Sequence, residues 1–124
     1  MNPASTPGPF VPERVEKPWG HELIWAVAPG YVGKVLVVRA GHALSLQYHE
    51  KKDETLHLLR GRVKLWVGSS QDELREVGLE VGESIRLVQG TLHRLEAVSD
   101  VEILEASTPE LDDVVRVQDR YGRV

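Results

Sequence analysis

The chain has 124 residues, of which 41% are hydrophobic and 27% charged, and it contains no cysteine. A chain of this size buries roughly two thirds of its unfolded surface, which suits one domain with its own core. Without cysteine there is no disulfide framework, thiolate zinc site, iron–sulfur cluster or cysteine nucleophile, so any metal is held by His, Asp, Glu or amide oxygen. Fifteen basic against 19 acidic residues give a formal charge of −4, which argues against nucleic acid as a partner but leaves room for a local basic patch that grips a phosphorylated metabolite.

No apolar run approaches the ~20 residues of a membrane span, and the first residues carry neither a basic leader nor an apolar signal core. No membrane partner is expected, and the expected compartment is the cytoplasm.

Pro3, Pro7, Pro9, Pro12 and Pro18 fix backbone angles and withdraw amide donors, so residues 1–14 read as an extended proline-rich arm and residues 15–124 as a single domain. From Trp19 onward short β-rich runs alternate with turn residues. The expected strands are His21–Val27, Val32–Arg39, Leu44–His49, Glu54–Leu59, Val63–Val67, Leu74–Val77, Ser84–Val88, Leu92–Val98 and Val101–Ala106. Breaks fall at Pro29-Gly30, Ala40-Gly41, Arg60-Gly61, Gly68-Ser69-Ser70, Gly78, Gly82, Gln89-Gly90 and Ser99-Asp100. Strands at this spacing give an all-β sandwich or barrel. Pro109 to Asp113, with Ser107 or Thr108 as N-cap and acids following, reads as a short C-terminal helical turn.

Strand alternation sorts the faces. Val63, Leu65 and Val67 share one side of their strand and Lys64 and Trp66 the other, as in a half-buried sheet. Ser45, Gln47 and His49 form a polar face that is either solvated or lines a cavity. His93 shares its parity with Leu95 and Ala97, so it points inward, where a neutral imidazole needs a partner.

Gln47 and His49 stand side by side on one strand, Glu54 opens the next, and His93 arrives from a distant strand to close the group. Within this pattern Gly41, His49, Glu54 and Gly61 match the spacing of the first cupin motif, with Gln47 where its first His stands. Gly82, Gly90 and His93 match the second, with Val88 replacing Pro and Ala97 replacing Asn.

Arg14-Val15-Glu16-Lys17-Pro18-Trp19-Gly20, Leu44 to His49, and Asp112 to Arg123 resemble the type II mannose-6-phosphate isomerase domain, which is also found fused behind mannose-1-phosphate guanylyltransferases. The resemblance implies a double-stranded β-helix, the cupin jelly-roll barrel. It implies one divalent ion at Gln47, His49, Glu54 and His93, and interconversion of mannose 6-phosphate and fructose 6-phosphate. Zn or Mn is the expected ion, with Fe, Co or Ni compatible with the same donors. The alternative is a non-catalytic metal-containing cupin that binds a sugar or sugar phosphate beside a nucleotidyltransferase. A homodimer is expected from the family and from the need to cover sheet edges.

Isomerase members typically read HHHRAEHW after the Gln, where this chain has His49-Glu50-Lys51-Lys52-Asp53-Glu54-Thr55-Leu56. Lys52 takes the place of the family's arginine and is the candidate catalytic residue, keeping the charge but not the planar fork. Lys34, which interrupts the apolar run Val32–Val38, is either an edge-strand charge or a phosphate contact. Arg123, with Arg120 and Tyr121, either closes over a phosphate or forms a solvated tail. His57 has the wrong parity for the site, and His21 and His42 read as surface or turn residues. Trp19, Trp25 and Trp66 read as core or dimer-interface aromatics, and Gln71–Glu76 as an exposed hairpin.

Overall fold

A computed structural model describes residues 7–124; the first six residues of the expected proline-rich arm lie outside the described part. Eleven strands and one 3-10 turn are present among the described residues: β1 (Glu13–Lys17), β2 (Gly20–Ala28), β3 (Tyr31–Val38), β4 (Leu46–Tyr48), β5 (Glu54–Arg60), β6 (Val63–Gly68), β7 (Arg75–Val77), β8 (Ser84–Leu87), β9 (Leu92–Ala97), β10 (Val101–Ser107) and β11 (Val115–Gln118), with the turn at Gln71–Glu73. They form a six-stranded sheet in the order β1-β2-β3-β10-β5-β8 and a five-stranded sheet in the order β11-β4-β9-β6-β7, with antiparallel pairing. This is the expected double-stranded β-helix. No helix of the described residues is long and apolar enough to cross a membrane.

Two strands were not anticipated. Glu13 and Arg14, read as the end of the arm, pair with Ile24 and Leu23 at the start of β1. An edge strand needs only one ladder, so the flanking prolines Pro12 and Pro18 are tolerated just outside it. At the other end Val115 and Arg116 pair with Tyr48 and Gln47, which adds β11 as the fifth strand of the smaller sheet just before Arg120, Tyr121 and Arg123. Pro109 to Asp113 is a chain of tight turns, Leu111 to Pro109 and Asp113 to Glu110, rather than a helical turn. Its amides and carbonyls are spent on turns and on holding neighbouring segments.

The inward residues explain where the core ends and the cavity begins. Val38 and Leu36 on β3, Val101 and Ile103 on β10, Leu58 and Leu56 on β5, and Ala97 and Leu95 on β9 join Trp19, Leu65 and Leu87 in one apolar cluster. Continuing along the same parity, each strand then changes character: β3 reaches Lys34, β10 reaches Glu105, β5 reaches Glu54 and β9 reaches His93, all buried. One end of the barrel is therefore filled with side chains, and the other is lined with ionisable groups.

Gly61 makes the β5–β6 turn at φ +94°, and a Cβ there would stand 2.3 Å from the Asp100 carbonyl oxygen. Only glycine satisfies both the backbone angle and the close approach.

Candidate metal centre in the barrel

The polar end of the barrel is a cavity of about 520 Å³ whose walls include Ser45, Gln47, His49, Lys52, Glu54 and His93. The polar face of the β4 segment thus lines a cavity rather than solvent. At its centre, Oε1 of Glu54 lies 3.3 Å from Nε2 of His49 and 3.3 Å from Nε2 of His93. The two imidazole rings are 5.3 Å apart. The ligating atoms of His49, Glu54 and His93 all fall within 4.8 Å of one another, and all three residues are buried.

Each histidine is oriented from behind. His49 donates from Nδ1 to the backbone carbonyl of Asp113, and His93 Nδ1 stands 3.0 Å from the carbonyl of Thr91. Holding Nδ1 in this way presents Nε2 to the centre, as metal-binding imidazoles require. The two halves of the motif are also tied directly, because the Gly90 amide donates to the His49 carbonyl at 2.8 Å. Two imidazoles and one carboxylate converging in a closed, polar site fit a divalent ion. Gln47, opposite His93 in the β4–β9 register, supplies an amide to the same cavity wall.

Electrostatics agree with this geometry. Burial works to raise the Glu54 carboxyl, but the two imidazoles and the Lys52 ammonium outweigh it and hold Glu54 below the ordinary carboxylate range. Burial likewise disfavours a charged His49, yet Glu54 and the Asp113 carbonyl raise its pKa above that of a free histidine. The pocket is thus built to concentrate one negative charge at Glu54, the charge a cation would meet.

Lys52 is not at the mouth of the cavity. It is 5% exposed, with Nζ 3.0 Å from Glu54 Oε2 and 3.1 Å from Glu105 Oε2. Burial disfavours its ammonium, but Glu105 and Glu54 more than compensate and raise its pKa. Lys34 does face the cavity, but β3 lies between β2 and β10, so the edge-strand reading is wrong; Nζ instead pairs with Glu22 at 3.3 Å. Arg123 reaches the cavity wall and is held there by Asp119 at 2.9 Å. Tyr121 and Arg120 are not a solvated tail either: the Tyr121 hydroxyl meets Nδ1 of His42 at 2.7 Å, and Arg120 donates to the Gly41 carbonyl at 2.7 Å. His42, read as a surface or turn residue, is accordingly partly buried under that tyrosine. His57 faces away from the centre and meets Ser84, as its parity implied.

Four cavity-lining residues were given no part in the site by the sequence reading. Glu22 and Glu105 are single acids on the inward parity of apolar strands, a signal comparable to that of Lys34. Asp113 lay inside the expected helical turn. Arg116 lines the cavity from β11 and makes no ion pair among the described residues.

The family model for the mannose-6-phosphate isomerase C-terminal region matches residues 10–119. A mannose-1-phosphate guanylyltransferase of Escherichia coli is 33% identical over 119 residues, covering 92% of this chain and 24% of that protein. The corresponding enzyme ManC of Salmonella typhimurium is 32% identical over 115 residues, covering 89% of this chain and 23% of that protein. The chain thus spans about a quarter of the length of these relatives. Among solved structures, oxalate decarboxylase of Bacillus subtilis, a protein with Mn(II) centres, superposes with a TM-score of 0.72 at 18% identity over 85% of this chain and 30% of that one, a likeness of fold. Fold, motif spacing and sequence agree: this chain belongs to the mannose-6-phosphate isomerase C-terminal family, a family of cupins.

Proposed function

We propose that this domain is a metal-dependent aldose–ketose isomerase acting on a sugar phosphate, with mannose 6-phosphate and fructose 6-phosphate as the interconverted pair. The observation that carries the reading is the buried His49–Glu54–His93 group at the centre of the cavity. A divalent ion held there, Zn or Mn by donor type and Mn by analogy with the fold relative, supplies Lewis-acid polarisation of the sugar's carbonyl and neighbouring hydroxyl oxygens.

The chain's own residues supply the rest. Leu36, Leu56 and Leu95 close the inner end of the cavity against water. Arg116 and Arg123 are the cations of its β11 side, and Arg116 forms no ion pair among the described residues, which suits its guanidinium to a phosphate. Arg116, rather than Lys34 or Lys52, is therefore the proposed phosphate contact, because both lysines are already neutralised by buried acids.

A second reading, binding of the sugar phosphate without turnover beside a nucleotidyltransferase, is supported by a specific feature. The segment Glu50–Thr55 departs from the isomerase run, and Lys52 is turned inward onto two acids instead of toward a ligand. An isomerase assay on metal-reconstituted protein, with an active family member as positive control, decides between the two. Conversion of mannose 6-phosphate establishes the first reading; calorimetric binding with no conversion establishes the second, and neither binding nor conversion rejects both.

A further inference from the structure

Two buried charges have no part in holding an ion by themselves: Lys52 and Glu105. Their positions relative to Glu54 give them one. The two oxygens of Glu54 face different partners, Oε1 toward Nε2 of His49 and His93 at 3.3 Å each and Oε2 toward Lys52 Nζ at 3.0 Å. Lys52 Nζ is itself backed by Glu105 Oε2 at 3.1 Å, and the side chains of Lys52, Glu54 and Glu105 are 4–6% exposed.

We propose that Lys52, backed by Glu105, is a positioning residue that keeps Glu54 a one-oxygen ligand. This rests on the metal reading above. Carboxylates bind divalent ions through one oxygen or through both, and the choice decides how many coordination positions stay open. With Oε2 engaged by an ammonium, only Oε1 is presented on the imidazole side. An aldose–ketose isomerase has to admit two adjacent sugar oxygens at its centre, so a position freed at Glu54 is a position gained for substrate.

The chemistry explains why the pair takes this form. A lysine ammonium is a compact charge with three donors, small enough to sit between two carboxylates. Alone in this site it would be a costly buried cation, and Glu105 supplies the compensating charge from β10, on the same inward parity as Val101 and Ile103. The Lys52 end is fixed as well, since its backbone amide donates to Asp113 Oδ2 at 2.8 Å. Lys52 thus acts through Glu54 and touches no substrate, which revises its expected role as a catalytic residue.

Two measurements on the full chain test this. In the unaltered protein, the infrared difference spectrum of Zn-loaded minus metal-free samples reports carboxylate coordination. A wide separation of the antisymmetric and symmetric carboxylate stretches is the expected one-oxygen result, and a narrow, chelate-type separation overturns the proposal. In Mn(II)-loaded protein, water-proton relaxation counts the exchangeable waters at the ion. The double variant Lys52→Met/Glu105→Gln, which removes both charges so that neither is left alone, is expected to lose one such water as Glu54 becomes bidentate; an unchanged count in a folded double variant overturns the proposal. The infrared measurement needs no variant, so it stands if the double variant does not fold. If the unaltered chain binds neither Zn nor Mn(II), the metal reading and this inference fall together; if it binds them with chelate-type bands, only the inference falls.

Discussion

Asp113 holds His49 from behind: its backbone carbonyl accepts the Nδ1 proton of His49, while its carboxylate accepts the amides of Lys51 at 2.6 Å and Lys52 at 2.8 Å. One residue from the C-terminal turns therefore fixes both the orientation of an imidazole and the loop that delivers Lys52 to Glu54. The amides of Lys51 and Lys52 also hold the Asp113 carboxyl below the ordinary aspartate range.

Removing the carboxylate half of that clamp should loosen the metal centre without touching a ligand. Asp113→Ala keeps the backbone carbonyl on His49 but frees the amides of Glu50, Lys51 and Lys52, and is expected to weaken Zn or Mn(II) binding by up to about 10-fold, the lower end of the scale for residues that support metal ligands. Asp113→Asn, which retains one acceptor oxygen for the loop amides, should fall in between. Titration calorimetry on both variants checks this, and equal affinities for Asp113→Ala and the unaltered chain would show that the carboxylate's hold on the loop does not matter to the centre.

The ligands themselves should not be equivalent. His49→Ala and His93→Ala each remove a converging donor and Glu54→Gln removes the carboxylate charge at the centre, and all three are expected to abolish stoichiometric metal. Gln47→Ala removes a neutral amide from the cavity wall and is expected to weaken binding only. Elemental analysis of the four purified variants reads the difference directly; full metal content in Glu54→Gln would move the site elsewhere.

The phosphate contact can be separated from the metal. Arg116→Ala is expected to weaken sugar-phosphate binding by about 10–100-fold, the equivalent of one or two charge-assisted hydrogen bonds, with metal content unchanged. Arg123→Ala should cost less of that binding, because its guanidinium is already engaged by Asp119. Calorimetry with mannose 6-phosphate on metal-loaded samples ranks the two, and the reverse order would assign the phosphate to Arg123.

Much of this architecture is legible in the sequence because strands half-buried in a barrel must alternate, and the turns between them need Gly, Pro or Asp. The parity of His93 with Leu95 and Ala97 was enough to point it inward. Parity alone does not say which strands become neighbours. Lys34 faces Glu105 across the β3–β10 ladder, a pairing made by chain segments far apart in sequence. Glu22 and Glu105 were missed for that reason: an isolated acid in an apolar strand acquires meaning only when its partner is known. β1 was missed because its residues are charged except for Val15 and prolines flank it, and an edge strand tolerates both. The helical turn at Pro109–Asp113 failed because Asp113, one of the acids read as favouring a helix start, is here used to bind the amides of another loop.

The motif glycines make different demands, which a substitution pair can expose. Gly82 has a positive φ of +89° but open space around its Cα, so Gly82→Ala should cost only the strain of a left-handed backbone, about 1–2 kcal/mol. Gly61 adds to a comparable angle a collision with the Asp100 carbonyl and Val101. Gly61→Ala is expected to destabilise clearly more than Gly82→Ala in denaturant melts. Equal losses would mean that the β5–β6 turn can shift to make room.

Acid should release the C-terminal segment through Asp119. The Arg123 guanidinium holds the Asp119 carboxyl down at about 2, whereas an unfolded aspartate titrates near 3.9. A carboxyl whose folded pKa is depressed contributes stability that is fully present above the unfolded value and is lost as pH falls through the folded one. The thermal midpoint of the unaltered chain should therefore drop between about pH 4 and pH 2 more steeply than that of Asp119→Asn, which should already be less stable at neutral pH. Since Arg123 lines the cavity and the neighbouring Tyr121 hydroxyl anchors to His42, the same variant should also weaken sugar-phosphate binding at neutral pH, where the metal ligands are untouched. Parallel melting curves for the two proteins across this acid range would remove the Asp119–Arg123 pair from the account of stability, and unchanged ligand affinity would remove it from the account of the cavity.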